Sequence, residues 1–337
     1  MLRSSILAEL PGLLAELGHS HVLKEMGIDT GALQDTERPI RLRDAGALLE
    51  GCVARTGRQQ LGLLLGMRGG VATLGAVGLL AQSAPDVESA LRALIDYLHH
   101  HDRGAVPTLG LERQAVTLGY AIYEPEVPAT DQIYAAAMAI ALQIMRELCG
   151  PHWYPTEVWL PFRKPPDASP FALLFKAPLR FDADQAALVF PAHWLKRPLA
   201  RPDPDAQRTI KLQLDAADPA DFVCLVRRTA RSLVVRGQLS ETAVAAALAV
   251  SRRTLVRLLQ ARDKTFRDIM NEVRLEAACQ LLRDTDNSVA HVAASLGYAN
   301  ASPFARAFRH WTGLRPTEWR DRHGGSRGPL RPDQFGR

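Results

Sequence analysis

The chain has 337 residues, 47% of them hydrophobic and 23% charged, the composition of a soluble globular protein with length enough for two cores. No apolar run approaches the roughly 18 residues of a membrane span, and the early acid at Glu9 argues against a signal peptide. The net charge of +5 is unevenly spread: residues 222–337 hold 20 Lys+Arg against 10 Asp+Glu, and the remainder holds 21 against 26. A basic end on an acidic body points to a polyanionic partner for that end alone.

Residues 1 to about 60 read as helical. Leu10, Leu13, Leu14 and Leu17 share one face behind Pro11, and Leu42, Leu48, Leu49 and Val53 give a second helical pattern. Leu61 to Leu80 is dense in Leu and Gly, which suits a tight helix pair or a cavity wall and carries no nucleotide fingerprint. A helix follows over Asp86–His101. Its closing His99-His100-His101 points in several directions, so helix C-terminal electrostatics explain the run better than a metal does. Strands are expected at 115–123, 157–162, 179–181 and 187–190, with helices at 131–149 and 169–175, a mixture that fits an α+β domain. Pro198, the Arg201-Pro-Asp-Pro-Asp205 run and Pro219 mark a semi-stiff linker. The four cysteines are far apart and read as reduced, buried thiols.

Beyond residue 220 the chain reads as helix with short turns. In Glu241–Leu248 followed by Ser251–Gln260, Ser251 is an N-cap and Leu255, Leu258 and Leu259 face inward. Arg253, Arg257 and Gln260 face away, with Arg252 on the flank. The same design recurs at Ser288–Gly313: small residues Ala293 and Ala294 at a helix crossing, a turn at Gly297, then a helix with Phe304, Ala307, Phe308 and Trp311 on one stripe and Ser302, Arg306 and Arg309 opposite. A helix near 267–283, with Ile269, Val273, Ala277 and Leu281 inward, joins the two units. Helices anchored this way with arginines outward suit the major groove, and two units about 34 Å apart could read successive grooves. Side-chain chemistry assigns base contacts to Arg253, Arg257, Asn300, Ser302 and Arg306, and phosphate contacts to Ser251, Arg252 and Arg309.

The motifs Ser251-Arg-Arg-Thr-Leu-Val-Arg-Leu-Leu259, Arg274-Leu-Glu-Ala-Ala-Cys-Gln-Leu-Leu282, Val292-Ala-Ala-Ser-Leu-Gly-Tyr298, Ser302-Pro-Phe-Ala-Arg-Ala-Phe308 and Gly313-Leu-Arg-Pro316 resemble the AraC/XylS family of bacterial transcription regulators. The resemblance implies an all-α C-terminal domain of two helix-turn-helix units that activates, or sometimes represses, promoters. Two departures stand out: Ala249 lies in the first turn where the second unit has Gly297, and Asp263 occupies a place where the family often has glycine. Asp263 is expected to stiffen or redirect its loop. More weakly, Leu61-Gly62, Leu74–Leu79, Ala90-Leu91 and the stretch from Pro165 through Phe181 to Leu188 resemble the arabinose-binding-like sensor domain of one subgroup.

The expected organisation is an effector-sensing and dimerisation domain over 1–197, a linker over 198–220, the DNA-binding domain over 221–322 and a disordered basic tail over 323–337. The expected partners are double-stranded promoter DNA, a small-molecule effector of unknown identity, RNA polymerase and a second copy of the chain, in the cytoplasm at the nucleoid. No cofactor is expected. An enzyme is disfavoured because no nucleophile–base set, metal spacing or cofactor loop is present. An architectural DNA binder leaves roughly 200 N-terminal residues, enough for a domain of its own, without a role.

Overall fold

The computed structural model describes residues 2–35, 39–124, 126–217, 222–248 and 250–323. Ala249 and the basic tail from residue 324, both part of the sequence reading, lie outside the described residues.

The N-terminal part opens with a two-stranded pair, β1 (Leu2–Arg3) and β2 (Pro39–Ile40), flanking short helices α1 (Leu10–Glu16), α2 (Val22–Glu25) and α3 (Thr30–Gln34). Four helices follow: α4 (Leu42–Thr56), α5 (Leu61–Gly66), α6 (Ala76–Gln82) and α7 (Val87–Tyr97). Asp86 caps α7 by accepting the Ser89 N–H at 2.8 Å. The glycines of the 61–80 stretch do what their density suggested. A Cβ on Gly62 would stand 2.1 Å from the Gln132 carbonyl oxygen, and one on Gly66 2.4 Å from that of Ala136. Helix α8 (Thr130–Cys149) thus lies almost in backbone contact with α5 and runs through the core, burying Met138, Leu142 and Met145.

A five-stranded sheet packs beside α8 in the order β3 (Ala105–Glu112), β4 (Ala115–Ile122), β7 (Ala186–Pro191), β5 (Glu157–Trp159), β6 (Leu179–Arg180). All neighbours are antiparallel except β5 and β6, between which lies α9 (Ser169–Phe175). Strand β3 was not anticipated, since Pro107 and Gly110 interrupt its pattern; it is tolerated because β3 is an edge strand, where a missing N–H costs no ladder bond.

The proline-rich stretch read as a spacer instead holds α10 (Pro204–Ala217). This helix buries Leu214 in the first core, and Asp215 accepts a 2.8 Å hydrogen bond from the Tyr97 hydroxyl. Pro204 is its first residue, a position where proline is compatible with a helix.

The second core belongs to an all-helical domain: α11 (Phe222–Val234), α12 (Glu241–Ala247), α13 (Arg252–Gln260), α14 (Phe266–Asp284), α15 (Val289–Ser295), α16 (Ala301–Thr312) and α17 (Pro316–His323). Two domains, one α+β and one all-α, therefore account for the described chain, as expected.

Candidate nucleic-acid interface

The two helix-turn-helix units are built by the same local devices. Ser240 caps α12 through the Ala243 N–H, and Ser251 caps α13 by accepting the Thr254 N–H at 3.1 Å. Leu255 and Leu259 are fully buried, whereas Leu258 is only partly covered. In the second unit Ser288 caps α15 through the His291 N–H at 3.1 Å, and Gly297 turns the chain with φ +79°. Val292 and Ala293 are fully buried against α16; Ala294, expected at the same crossing, faces solvent instead. At about 100° per residue, Val292 and Ala293 fill the inward arc and Ala294 is carried past it.

Phe304 and Phe308 are fully buried and hold α16 in place. Their rings lie 5.6 Å apart, with Tyr298 5.5 Å from Phe304 and Trp319 6.1 Å edge-on to Phe308. Truncating either phenylalanine would remove a contact of roughly 3–5 kcal/mol. Ala307 and Trp311 are partly exposed flank positions.

Of the residues assigned to base contacts, Arg253 and Arg257 are exposed on α13, and Ser302 and Arg306 are exposed on α16. Asn300 stands just before α16 and caps it, its Oδ1 accepting the Ser302 N–H at 3.1 Å. Among the phosphate candidates, Ser251 is likewise occupied as a cap. Arg309 is exposed near the end of α16. Arg252 is exposed and donates to Glu241 at 3.0 Å. An exposed pair of this kind is worth about 0–1 kcal/mol, so an incoming phosphate could displace the carboxylate.

Several basic residues turn out to be structural. Arg320 is buried, donating to the Leu282 carbonyl at 3.1 Å and to that of Asn287, which fastens α17 to the end of α14. Arg274 stacks its guanidinium 5.2 Å from the Tyr298 ring, under the second turn. Arg227 and Arg231 pair with Glu272 and Glu276 along the α11–α14 seam. The arginines of this domain are therefore divided between exposed positions, those of α13 and α16 among them, and positions that serve packing. The cysteines divide similarly: Cys52 and Cys149 are buried, whereas Cys224 is exposed, contrary to the uniform expectation.

The joining helix α14 has a second role that sequence reading missed. It packs on the N-terminal domain, where Gln280 donates to the Tyr134 hydroxyl; beside it, Arg231 of α11 places its guanidinium 3.4 Å from the centre of the Tyr123 ring. Burial pushes the Tyr123 phenol up to about 12. At the second unit, Arg163 pairs with Asp286 at 2.8 Å, Asn287 donates to the Asp182 carbonyl at 3.0 Å and His291 meets Asp184 at 2.8 Å. These residues are separated by more than 100 positions in the chain, so no local pattern could pair them.

A family model described as the arabinose-binding domain of AraC transcription regulators matches residues 18–199, and a helix-turn-helix domain model matches residues 244–322. The chain is similar to the HTH-type transcriptional regulator VirS of Mycobacterium tuberculosis, with 26% identity over 95% of this chain and 96% of that protein. It is also similar to the ornithine utilization regulator of Pseudomonas aeruginosa, with 26% identity over 89% of this chain and 93% of that protein. Among solved structures, the transcriptional regulator CdpR of Pseudomonas aeruginosa aligns over 89% of this chain and 96% of its own, with 23% identity and a TM-score of 0.43.

Proposed function

Because this chain belongs to the AraC family of transcription regulators, not to an enzyme family, we propose that it activates promoters under the control of a small molecule held by its N-terminal domain. The observation that carries the DNA-reading part is the repeated geometry of α13 and α16, each with its apolar stripe buried and its arginines exposed on the opposite face. Arg253 and Arg257 from the first unit, and Arg306 with Ser302 from the second, read base edges in two successive major grooves. Arginine suits guanine O6 and N7 because its planar fork donates two parallel bonds. Arg252 and Arg309 neutralise phosphates. Asn300 reads a base edge beside Ser302, and Ser251 contacts a phosphate from the N-terminus of α13.

In this reading residues 1–197 sense the effector and mediate dimerisation, residues 198–220 connect, and residues 221–322 read DNA. The C-terminal domain delivers RNA polymerase to the promoter, in the cytoplasm at the nucleoid.

The test is gel-shift titration on a fragment recovered by genome-wide mapping of bound DNA. Arg257→Ala or Arg306→Ala should cost about 1–3 kcal/mol on the native site and relax the preference at one base pair. Arg309→Ala should weaken native and scrambled sites alike and reduce the salt slope by about 1. Equal binding by wild type and all three variants would refute the assignment.

A further inference from the structure

The N-terminal domain contains an apolar cavity of about 140 Å³ between α8, α7 and the β3–β4 hairpin. Protein interiors hold few voids larger than a water molecule, and elsewhere this core is tight enough to press α5 onto the α8 backbone at Gly62 and Gly66. Yet Leu2, Ala137, Ile140 and Ala141, all on the cavity wall, are left only partly covered by the chain. An engineered cavity of about 150 Å³ lined by aliphatic side chains stays dry and binds benzene. A space of this size therefore suits one ring or a short hydrocarbon body.

The wall carries the polar side chains of Thr73, His101, Asp102 and Tyr120, and the protein already engages each of them. Thr73 Oγ1 donates to the Gly70 carbonyl at 2.6 Å and accepts the Gly70 N–H at 3.3 Å. Asp102, buried, accepts the Gly104 N–H at 2.7 Å and the Tyr120 hydroxyl. The chain's own N-terminal amine is among the charges that act on this carboxylate. His101 is engaged as well. An occupant thus meets hydrocarbon on nearly every side and no polar group in need of a partner.

We infer that this cavity is the effector site and that it takes a neutral molecule of predominantly hydrocarbon surface, about the size of one substituted ring. The inference rests on the reading of effector control given above. Binding is driven by removing apolar surface from water, on the ligand and on the uncovered wall alike. A pentose is excluded because its buried hydroxyls would lose water and find no free partner. An ammonium or carboxylate is excluded because a buried charge needs a partner of its own, and the one carboxylate on the wall is already satisfied within the chain.

The site also abuts the domain seam. Ile133 of α8 lines the cavity, and its neighbour Tyr134 accepts Gln280 of α14. The Tyr120 ring, on the wall, sits edge-on to Tyr134 at 6.3 Å. An occupant that fixes α8 against β4 thereby bears on the helix joining the two reading units.

The experiment is calorimetric titration of the full chain with toluene, benzylamine, benzoate and L-arabinose. Toluene is expected to bind at least tenfold more tightly than any of the other three. Ala137→Leu, which places a larger side chain on the wall, should weaken toluene at least tenfold. Ile144→Ala widens the cavity and should shift the preference from toluene toward n-butylbenzene at least tenfold, a gain that a misfolded variant could not produce. No binding of toluene, or unchanged selectivity in Ile144→Ala, would overturn the site. Benzylamine, benzoate or arabinose binding as tightly as toluene would overturn the ligand class. Operator affinity measured with and without toluene separates the two claims: toluene binding that leaves operator affinity unchanged supports the site and refutes effector control through it.

Discussion

Asp263 has φ +54°, in the left-handed region that favours glycine, at the turn between α13 and α14. The sequence departure and the backbone therefore agree: the loop keeps the glycine conformation and aspartate bears it, as a short polar side chain can. The expectation that Asp263 redirects the loop is replaced by one of modest strain. Asp263→Gly should stabilise the C-terminal domain by up to about 1 kcal/mol, since the relief of left-handed strain outweighs the entropy glycine adds to the unfolded chain. A lower denaturant midpoint for that domain would contradict this. Arg257 and Arg306 were legible at this scale because spacing alone puts them opposite a buried stripe. Asn300 was legible as a polar residue at the right place, but its role as the cap of α16 emerges only from the 3.1 Å bond to the Ser302 N–H.

At the scale of elements, the helices were legible because their signals are local. Asp86, Ser251 and Ser288 each announce a helix start, and each is found accepting an N–H three residues on. The strand β3 was lost because its proline and glycine are permitted by an edge position that only the assembled sheet reveals. Helix α10 was lost because the prolines around it read as a spacer, whereas Leu214 docks it on the first core. The Leu/Gly-rich stretch was legible in kind, as a close helix pair, but its partner α8 was not. Gly62→Ala should lower stability by about 1–3 kcal/mol, since the new methyl would meet the Gln132 carbonyl, which the α8 backbone holds in place. Thermal unfolding of the full chain checks it, and an unchanged first transition would show that α5 can move away from α8.

At the scale of the molecule, the seam between the domains is where function and fold meet, and it was invisible to sequence reading. Tyr123, Tyr134 and Asp184 come from the N-terminal domain, and Arg231, Gln280 and His291 from the C-terminal domain. The Tyr134 hydroxyl also accepts the Ile122 N–H at 3.3 Å, so Tyr134→Phe leaves two donors without their acceptor. Tyr134→Phe should cost about 1–3 kcal/mol, and a double-mutant cycle with Gln280→Ala should return a coupling of at least 0.5 kcal/mol. Strict additivity would mean that the seam does not bind the domains together. The exposed rim pair His291–Asp184 should contribute no more than about 1 kcal/mol.

The central claim, two reading helices on one chain, is tested most directly by hydroxyl-radical footprinting on the native operator. Two protected patches about one helical turn, or 10–10.5 base pairs, apart are expected. Arg257→Ala should fade one patch and Arg306→Ala the other. A single patch, or the same patch fading in both variants, would contradict the paired reader.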